Sequence, residues 1–399
     1  MSTIAENKQG LRVLIAGSVL QLFLGIIYVW SVFAEPVSRV YNWGIDSVKL
    51  TSSYMLCFFV VGILIGGKLQ AKVGAQTIVL IGGLMLSGGM LATAFLPAGA
   101  AAAMYVTYGV VGGFGVGAAY STVITAAQKW FPKNRGLATG ICVCAFGFST
   151  VIFAPMIEAL IGQFELRNTF IILAVAFFVV TILLFRFISI PGDSGAAGGA
   201  QGAAAQTKKQ YSMAEAVRTK EFYFIALSLM FGTAAFFILN PSFKTFAAER
   251  GLGESAGTLV VMLTGVANAL GRLGSPLLSD KIGCGKATLT IILATSVCAL
   301  LLTFVGGVMF MATIAVIAFC YGGYSGIYPL LTADYFGIKN VGSNYGAVMV
   351  GFALSALLFP MIIGLISNIT AKFVVLGILA ACGGVLVLLL EASRKKEAS

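Results

Sequence analysis

The sequence predicts an all-α membrane protein of 12 transmembrane helices arranged as two pseudo-symmetric halves of six. Three observations carry this. The 399 residues include only 25 Lys and Arg and 14 Asp and Glu, 10% charged, where soluble domains carry about 25%. Hydrophobic residues make up 59% and glycines number 49, a composition suited to helices packed closely in lipid. The apolar residues fall into twelve runs of about 20, the length that crosses a bilayer core, and these runs use almost the whole chain.

Taken in order, the runs between charged or Gly/Pro breaks predict spans near 11–34, 51–69, 77–97, 101–127, 137–161 and 169–190. A second set lies near 222–240, 255–278, 286–305, 308–332, 343–366 and 371–391. With the amino terminus inside, cytoplasmic segments hold 18 Lys and Arg, outer loops hold 6, and one, Arg272, stays within a span. This asymmetry sets the orientation and places both termini in the cytoplasm of a cell inner membrane. The net charge of +11 therefore reads as inner loops facing anionic lipid, with no nucleic acid as partner. The first run lacks a signal-type cleavage site and reads as a retained span.

The halves predicted are residues 1–190 and 222–399, joined by a cytoplasmic linker at 191–221. Pro191–Thr207 is rich in Gly and Ala and has no apolar periodicity, which describes a flexible connection. Ser212-Met213-Ala214-Glu215 then fits a capping box ahead of a short interfacial helix. Cys57, Cys142, Cys144, Cys284, Cys298, Cys320 and Cys382 show no paired metal spacing and His is absent, so neither a metal nor another cofactor is expected.

The halves also repeat. Glu35-Pro36-Val37-Ser38-Arg39 matches Asn240-Pro241-Ser242-Phe243-Lys244, Trp130-Phe131 matches Tyr335-Phe336, and Pro155 matches Pro360, each at an offset of 205. Gly67–Gly74 matches Pro276–Gly283 at 209. The constant order and near-constant offset indicate duplication, which in transporters places the binding cavity at the repeat interface.

With these segments in view, the chain resembles a known family. Gly67–Gly74 and Leu278–Gly283 are similar to the loop motif of the major facilitator superfamily, found after spans 2 and 8. Lys72, Gly74, Asp280, Lys281 and Gly283 occupy its inner-gate positions, and Ala71 stands where an acid is usual. Tyr28–Pro36 and Lys129–Gly140 resemble the branch of oxalate/formate antiporters and monocarboxylate transporters, notably its bacterial lactate-type members. The resemblance implies alternating-access transport of a short monocarboxylate such as L-lactate or pyruvate, coupled to protons, by a protein working in the bilayer as a monomer.

Span 8 carries the most telling residue. Thr264, Gly265, Asn268, Arg272 and Ser275 fall on one face at spacings of three and four. An arginine near the centre of a span costs roughly 2.5–3.5 kcal/mol on insertion scales. Either it snorkels to the inner interface, or it binds an anion, for which guanidinium has the matching fork and a permanent charge. In the family a span-8 arginine binds the substrate carboxylate, and Arg272 occupies that position. Mammalian members usually have an aspartate where Asn268 stands, and Asn268 cannot carry a proton. Oxalate-type relatives use a second basic residue in span 11, which Ser343–Ile366 lacks. One buried cation suits one carboxylate.

Further substrate-binding candidates are Tyr120, Tyr28, Tyr324 and Tyr328, whose hydroxyls sit in spans 1, 4 and 10, and Cys57 in span 2. Proton-coupling candidates are Glu35, Glu158 and Asp334 near span ends. Formate- or oxalate-linked exchange is the alternative within transport, and a membrane acid sensor the alternative outside it. An enzyme is disfavoured because no nucleophile with a base, metal cluster or phosphate loop is found.

Overall fold

A computed structural model describes residues 7–191, 210–239 and 254–398. In lipid, a spanning segment must satisfy its own backbone hydrogen bonds, and the described residues form helices joined by short turns. Ten helical runs are long and apolar enough to cross a membrane. One of these, which begins at Arg135, holds spans 5 and 6, and Glu254–Ile282 adds span 8. The count is therefore twelve.

Span 1 consists of Lys8–Leu24 and Trp30–Tyr41, joined by a 3-10 turn at Gly25–Tyr28. Spans 2 and 3 are Ile45–Val73 and Ala75–Ala94. Span 4 opens as a π-helix, Tyr105–Gly112, and continues as the α-helix Gly113–Trp130. Spans 5 and 6 share Arg135–Leu184 and are separated only at Glu165. Spans 7 to 12 are Lys220–Leu239, Glu254–Ile282, Cys284–Leu301, Gly307–Phe336, Val341–Gly364 and Ile369–Ala398. Span 1 thus runs beyond the expected end at 34, and spans 1 and 4 contain irregular turns that were expected to be α. Hydropathy measures how apolar a run is, and it is blind to whether the run winds i+3, i+4 or i+5.

The duplication is visible at the level of atoms. Gly74 and Gly283, equivalent in the repeat, turn the chain after spans 2 and 8 at φ 85° and 89°, a region that a residue without Cβ enters freely. In the first copy Gly62 of span 2 abuts the carbonyl of Phe114, and Gly117 of span 4 abuts that of Phe59. In the second, Gly271 of span 8 abuts the carbonyl of Phe319, and Gly322 of span 10 abuts that of Asn268. Positions 59 and 62 precede 268 and 271 by 209, and positions 114 and 117 precede 319 and 322 by 205. One reciprocal helix crossing therefore occurs twice. The Asn240–Lys244 half of the first anchor pair and most of the linker lie outside the described residues.

Corresponding ends of the two repeats are tied in parallel ways. Asn7 accepts from the Gly10 amide at 2.9 Å and donates through Nδ2 to the Trp130 carbonyl at 3.2 Å. In the second copy, Ser212 and Glu215 form the expected capping box, and the Tyr211 amide donates to the Phe336 carbonyl at 3.0 Å. Trp130 Nε1 donates to the Ser189 carbonyl at 2.7 Å, and Tyr335 donates to the carbonyl of Leu390 at 3.3 Å.

The chain forms two compact units. One comprises Met1–Ala138, Ala145–Gln210 and Ile338–Gly346; the other comprises Thr139–Cys144, Tyr211–Gly337 and Ala347–Ser399. Short pieces of spans 5 and 11 thus belong to the unit of the other repeat. Along the spans, large apolar side chains such as Leu183, Val297 and Val385 are exposed, a surface that suits hydrocarbon and would be a liability in water.

Glu165 sits at φ 62°, ψ 168°, a region that is essentially glycine's own and costs other residues about 1–3 kcal/mol. Glu165→Gly should raise the thermal midpoint of the purified protein in detergent, by an amount worth about 1 kcal/mol after glycine's own entropic cost. An unchanged or lower midpoint would show that the turn is unstrained.

Candidate functional site

The polar stripe of span 8 is built into its unit. Thr264 is buried, Asn268 is half-buried, and Ser275 is buried. Arg272 is 2% exposed, the largest fully enclosed side chain among the described residues. Its Nε donates to Asn268 Oδ1 at 3.1 Å, a contact that the i, i+4 spacing of one helix face allows. This bond fixes the plane of the guanidinium. The side chain is enclosed by protein and does not reach the molecular surface.

Its neighbours explain why it stays there. Gly271 and Gly322 bring the backbones of spans 8 and 10 into contact in the turn that precedes Arg272, and a Cβ at Gly326 would crowd the Arg272 carbonyl. Gly140 of span 5 lies against Leu273, and Cys144, one turn further on, is within electrostatic reach of Arg272. In the first repeat copy the equivalents of Asn268 and Arg272, 209 residues earlier, are Phe59 and Ile63. The charge belongs to one copy of a shared crossing.

The tyrosines divide between the units. In the first, Tyr120 is buried and packs edge-on to Phe146 at 4.8 Å and to Phe59 at 5.2 Å, while Tyr28 meets the same Phe146 at 5.6 Å. Tyr28 and Tyr120 are therefore brought together around one phenylalanine of span 5. In the second unit the hydroxyl of Tyr324 pairs with Thr295 at 2.7 Å and that of Tyr328 with Ser228 at 2.9 Å. These bonds join span 10 to spans 9 and 7 in the core. Cys57 is half-buried on span 2.

The remaining candidates lie toward span ends. Lys72, Asp280 and Lys281 are exposed beside the two glycine turns. Gly67, which opens the first motif copy, packs on the backbone of Gly342. Glu35 is exposed and paired with Arg39, Glu158 is exposed, and Asp334 is half-buried near the carboxyl end of span 10.

Sequence reasoning missed some buried polar residues. Gln21 of span 1 is fully enclosed and donates to the Tyr120 carbonyl at 3.1 Å. Thr233 of span 7 donates to Ser355 of span 11 at 3.0 Å. The signal was present as isolated polar residues within apolar runs, but the partners come from other helices and cannot be read from spacing.

The profile of the Major Facilitator Superfamily matches residues 15–336 and 227–399. The chain belongs to the major facilitator superfamily. It is 27% identical over 338 residues to the oxalate:formate antiporter of Oxalobacter formigenes, covering 81% of this chain and 76% of that protein. It is 25% identical over 366 residues to monocarboxylate transporter 12 of Xenopus laevis, covering 86% and 77%. Among solved structures it is similar in fold to the superfamily transporter FucP in the outward conformation, with a TM-score of 0.71 at 12% identity, covering 94% of this chain and 98% of that one. The chain is thus a multi-pass membrane protein whose relatives within the superfamily are transporters, and whose small-molecule cargo is to be argued from its own residues.

A Cβ at Gly322 would overlap the Asn268 carbonyl, so Gly322→Ala must push span 8 away from span 10. Overpacking of this kind costs about 1–3 kcal/mol. The variant should unfold at a lower temperature than wild type, whereas Gly162→Ala, at a position with open space around it, should not. Equal midpoints for the two variants would mean that the crossing yields without cost.

Proposed function

We propose that this superfamily member is a secondary active transporter of short monocarboxylates, L-lactate or a pyruvate-like acid, working by alternating access with proton symport. Arg272 binds the carboxylate. The observation that carries the reading is the enclosure of this side chain, 2% exposed, in the middle of a membrane helix with Asn268 orienting it. Intramembrane charges are retained for function by default, and a guanidinium offers a carboxylate two parallel hydrogen bonds without titrating.

The monocarboxylate choice follows from charge counting. Ser343–Ile366 contains no Lys or Arg, and Leu11–Ala34 has only Arg12 at its inner end. A second carboxylate would enter a low-dielectric site with no cation of its own, at a cost of several kcal/mol. Resemblance to monocarboxylate transporter 12 supports the same choice. The oxalate:formate antiporter favours exchange of carboxylates as the second reading, and the two differ in whether efflux requires a counter-substrate. Tyr28 and Tyr120, whose rings are gathered at Phe146, remain further substrate-binding candidates. For the proton, Asp334 is the more enclosed of the three acids near span ends. The protein is assigned to the cell inner membrane with both termini cytoplasmic, acting as a monomer.

In liposomes reconstituted with purified protein, Arg272→Ala should abolish L-lactate uptake while the protein remains folded. Arg272→Lys, which keeps the charge and loses the fork, should lower kcat/KM at least tenfold, worth about 1.4 kcal/mol. Full uptake by Arg272→Ala would remove Arg272 from the site. An inward proton gradient should accelerate uptake by wild type; equal rates with and without the gradient would replace symport by exchange.

A further inference from the structure

Span 4 departs from α geometry over Tyr105–Gly112, where it winds as a π-helix. Such segments are rare and often mark functional positions. Three hydroxyls fall in it. Tyr105 donates to the Ser47 carbonyl at 2.9 Å, and Thr107 pairs with Thr93 of span 3 at 2.8 Å. Tyr108 is fully enclosed, and its hydroxyl has no hydrogen-bond partner among the described residues. Its ring lies 4.6 Å from Trp30, 6.4 Å from Phe33 and 6.1 Å from Phe170. A hydroxyl stripped of water among aromatic rings is a standing cost, and such a group calls for an explanation. Phenylalanine would fill this place without that cost.

The neighbour at 4.6 Å supplies a second observation. Trp30 opens the helix that follows the 3-10 turn Gly25–Tyr28 interrupting span 1, and its Nε1 is anchored to the Val48 carbonyl at 2.9 Å. The helix that leaves one non-α segment of this unit, Gly25–Tyr28, is therefore in ring contact with another, Tyr105–Gly112, through Trp30 and Tyr108. Rewinding Tyr105–Gly112 from i+5 to i+4 pairing would rotate one end of the segment against the other and carry the Tyr108 hydroxyl out of the aromatic box.

We infer that Tyr108 is a positioning residue of the transport cycle: its hydroxyl, without a partner among the described residues in this state, takes a hydrogen bond in a second register of span 4. The inference rests on the transport reading above but concerns the conformational step, since Tyr108 is assigned no contact with the carboxylate.

Tyr108→Phe keeps the ring and deletes the oxygen. The variant should unfold at a higher temperature than wild type, because the desolvated hydroxyl is gone. For L-lactate uptake in liposomes, kcat should fall at least fivefold with KM unchanged. Amide exchange over residues 105–112 should slow, because the second register has lost its partner. A lower unfolding temperature would show that the hydroxyl is paired in this state, and unchanged kcat would show that it is merely tolerated. A raised KM at constant kcat would make it a substrate contact, and unchanged amide exchange would deny the second register. Each of these four outcomes overturns the inference. Should the wild-type protein move no monocarboxylate, the proposed function fails, and the unfolding and exchange measurements still decide the role of Tyr108.

Discussion

The backbone contact between spans 8 and 10 is the constraint on which the candidate site depends. A guanidinium in a membrane helix can lower its cost by bending toward the interface, and only a rigid surround prevents this. Gly271 and Gly322 contribute to that surround by letting each helix approach a carbonyl of the other. Arg272 is thereby held at 2% exposure with Asn268 as acceptor for its Nε. Small residues at helix crossings are the usual means of close packing in lipid, where the hydrophobic effect does not drive helices together. Here they also fix the direction of a charge.

The same crossing without the charge occurs in the other half. Spans 2 and 4 repeat the glycine contacts, yet Phe59 and Ile63 stand at the positions of Asn268 and Arg272. The crossing is therefore a scaffold that does not depend on the polar pair, and the pair is an addition to one copy. The halves have diverged in chemistry accordingly. One gathers Tyr28, Phe59, Tyr120 and Phe146 into an aromatic cluster, and the other combines a buried cation with satisfied hydroxyl pairs at Tyr324 and Tyr328.

What was legible in the sequence follows from what each signal measures. Span number came from apolar length, and the repeat came from the offsets of its anchors. The glycine turns at Gly74 and Gly283 and the capping box at Ser212 came from local backbone chemistry that does not need tertiary partners. Arg272 and Asn268 announced themselves as polar groups at helical spacing. The break in span 1, the π segment of span 4 and the near-fusion of spans 5 and 6 at Glu165 were not legible, since apolar composition is the same for every winding. Nor were the partners of Tyr324 and Tyr328, which lie on spans 9 and 7. A tyrosine's hydroxyl is visible in the sequence; whether it is already occupied is a property of the fold.

Under the proposed function, in which Arg272 binds a carboxylate, its fixed charge also bears on how transport would be coupled. With the carboxylate bound, Arg272 and its cargo form a neutral pair, and a conformational change moves no buried net charge. Without cargo the guanidinium keeps its charge, because it does not titrate in any accessible range, and the empty form must keep that charge compensated or solvated through the same change. Exchange avoids the empty form altogether, because one acid replaces another before the protein returns. Net symport needs a protonatable acid whose release leaves a carboxylate able to offset Arg272 on the way back. Glu35 is engaged with Arg39 in an exposed pair, and Glu158 is exposed. In the proposed function the half-buried Asp334 is the candidate for that acid, and a protein that could not compensate its empty site would be confined to trading one anion for another.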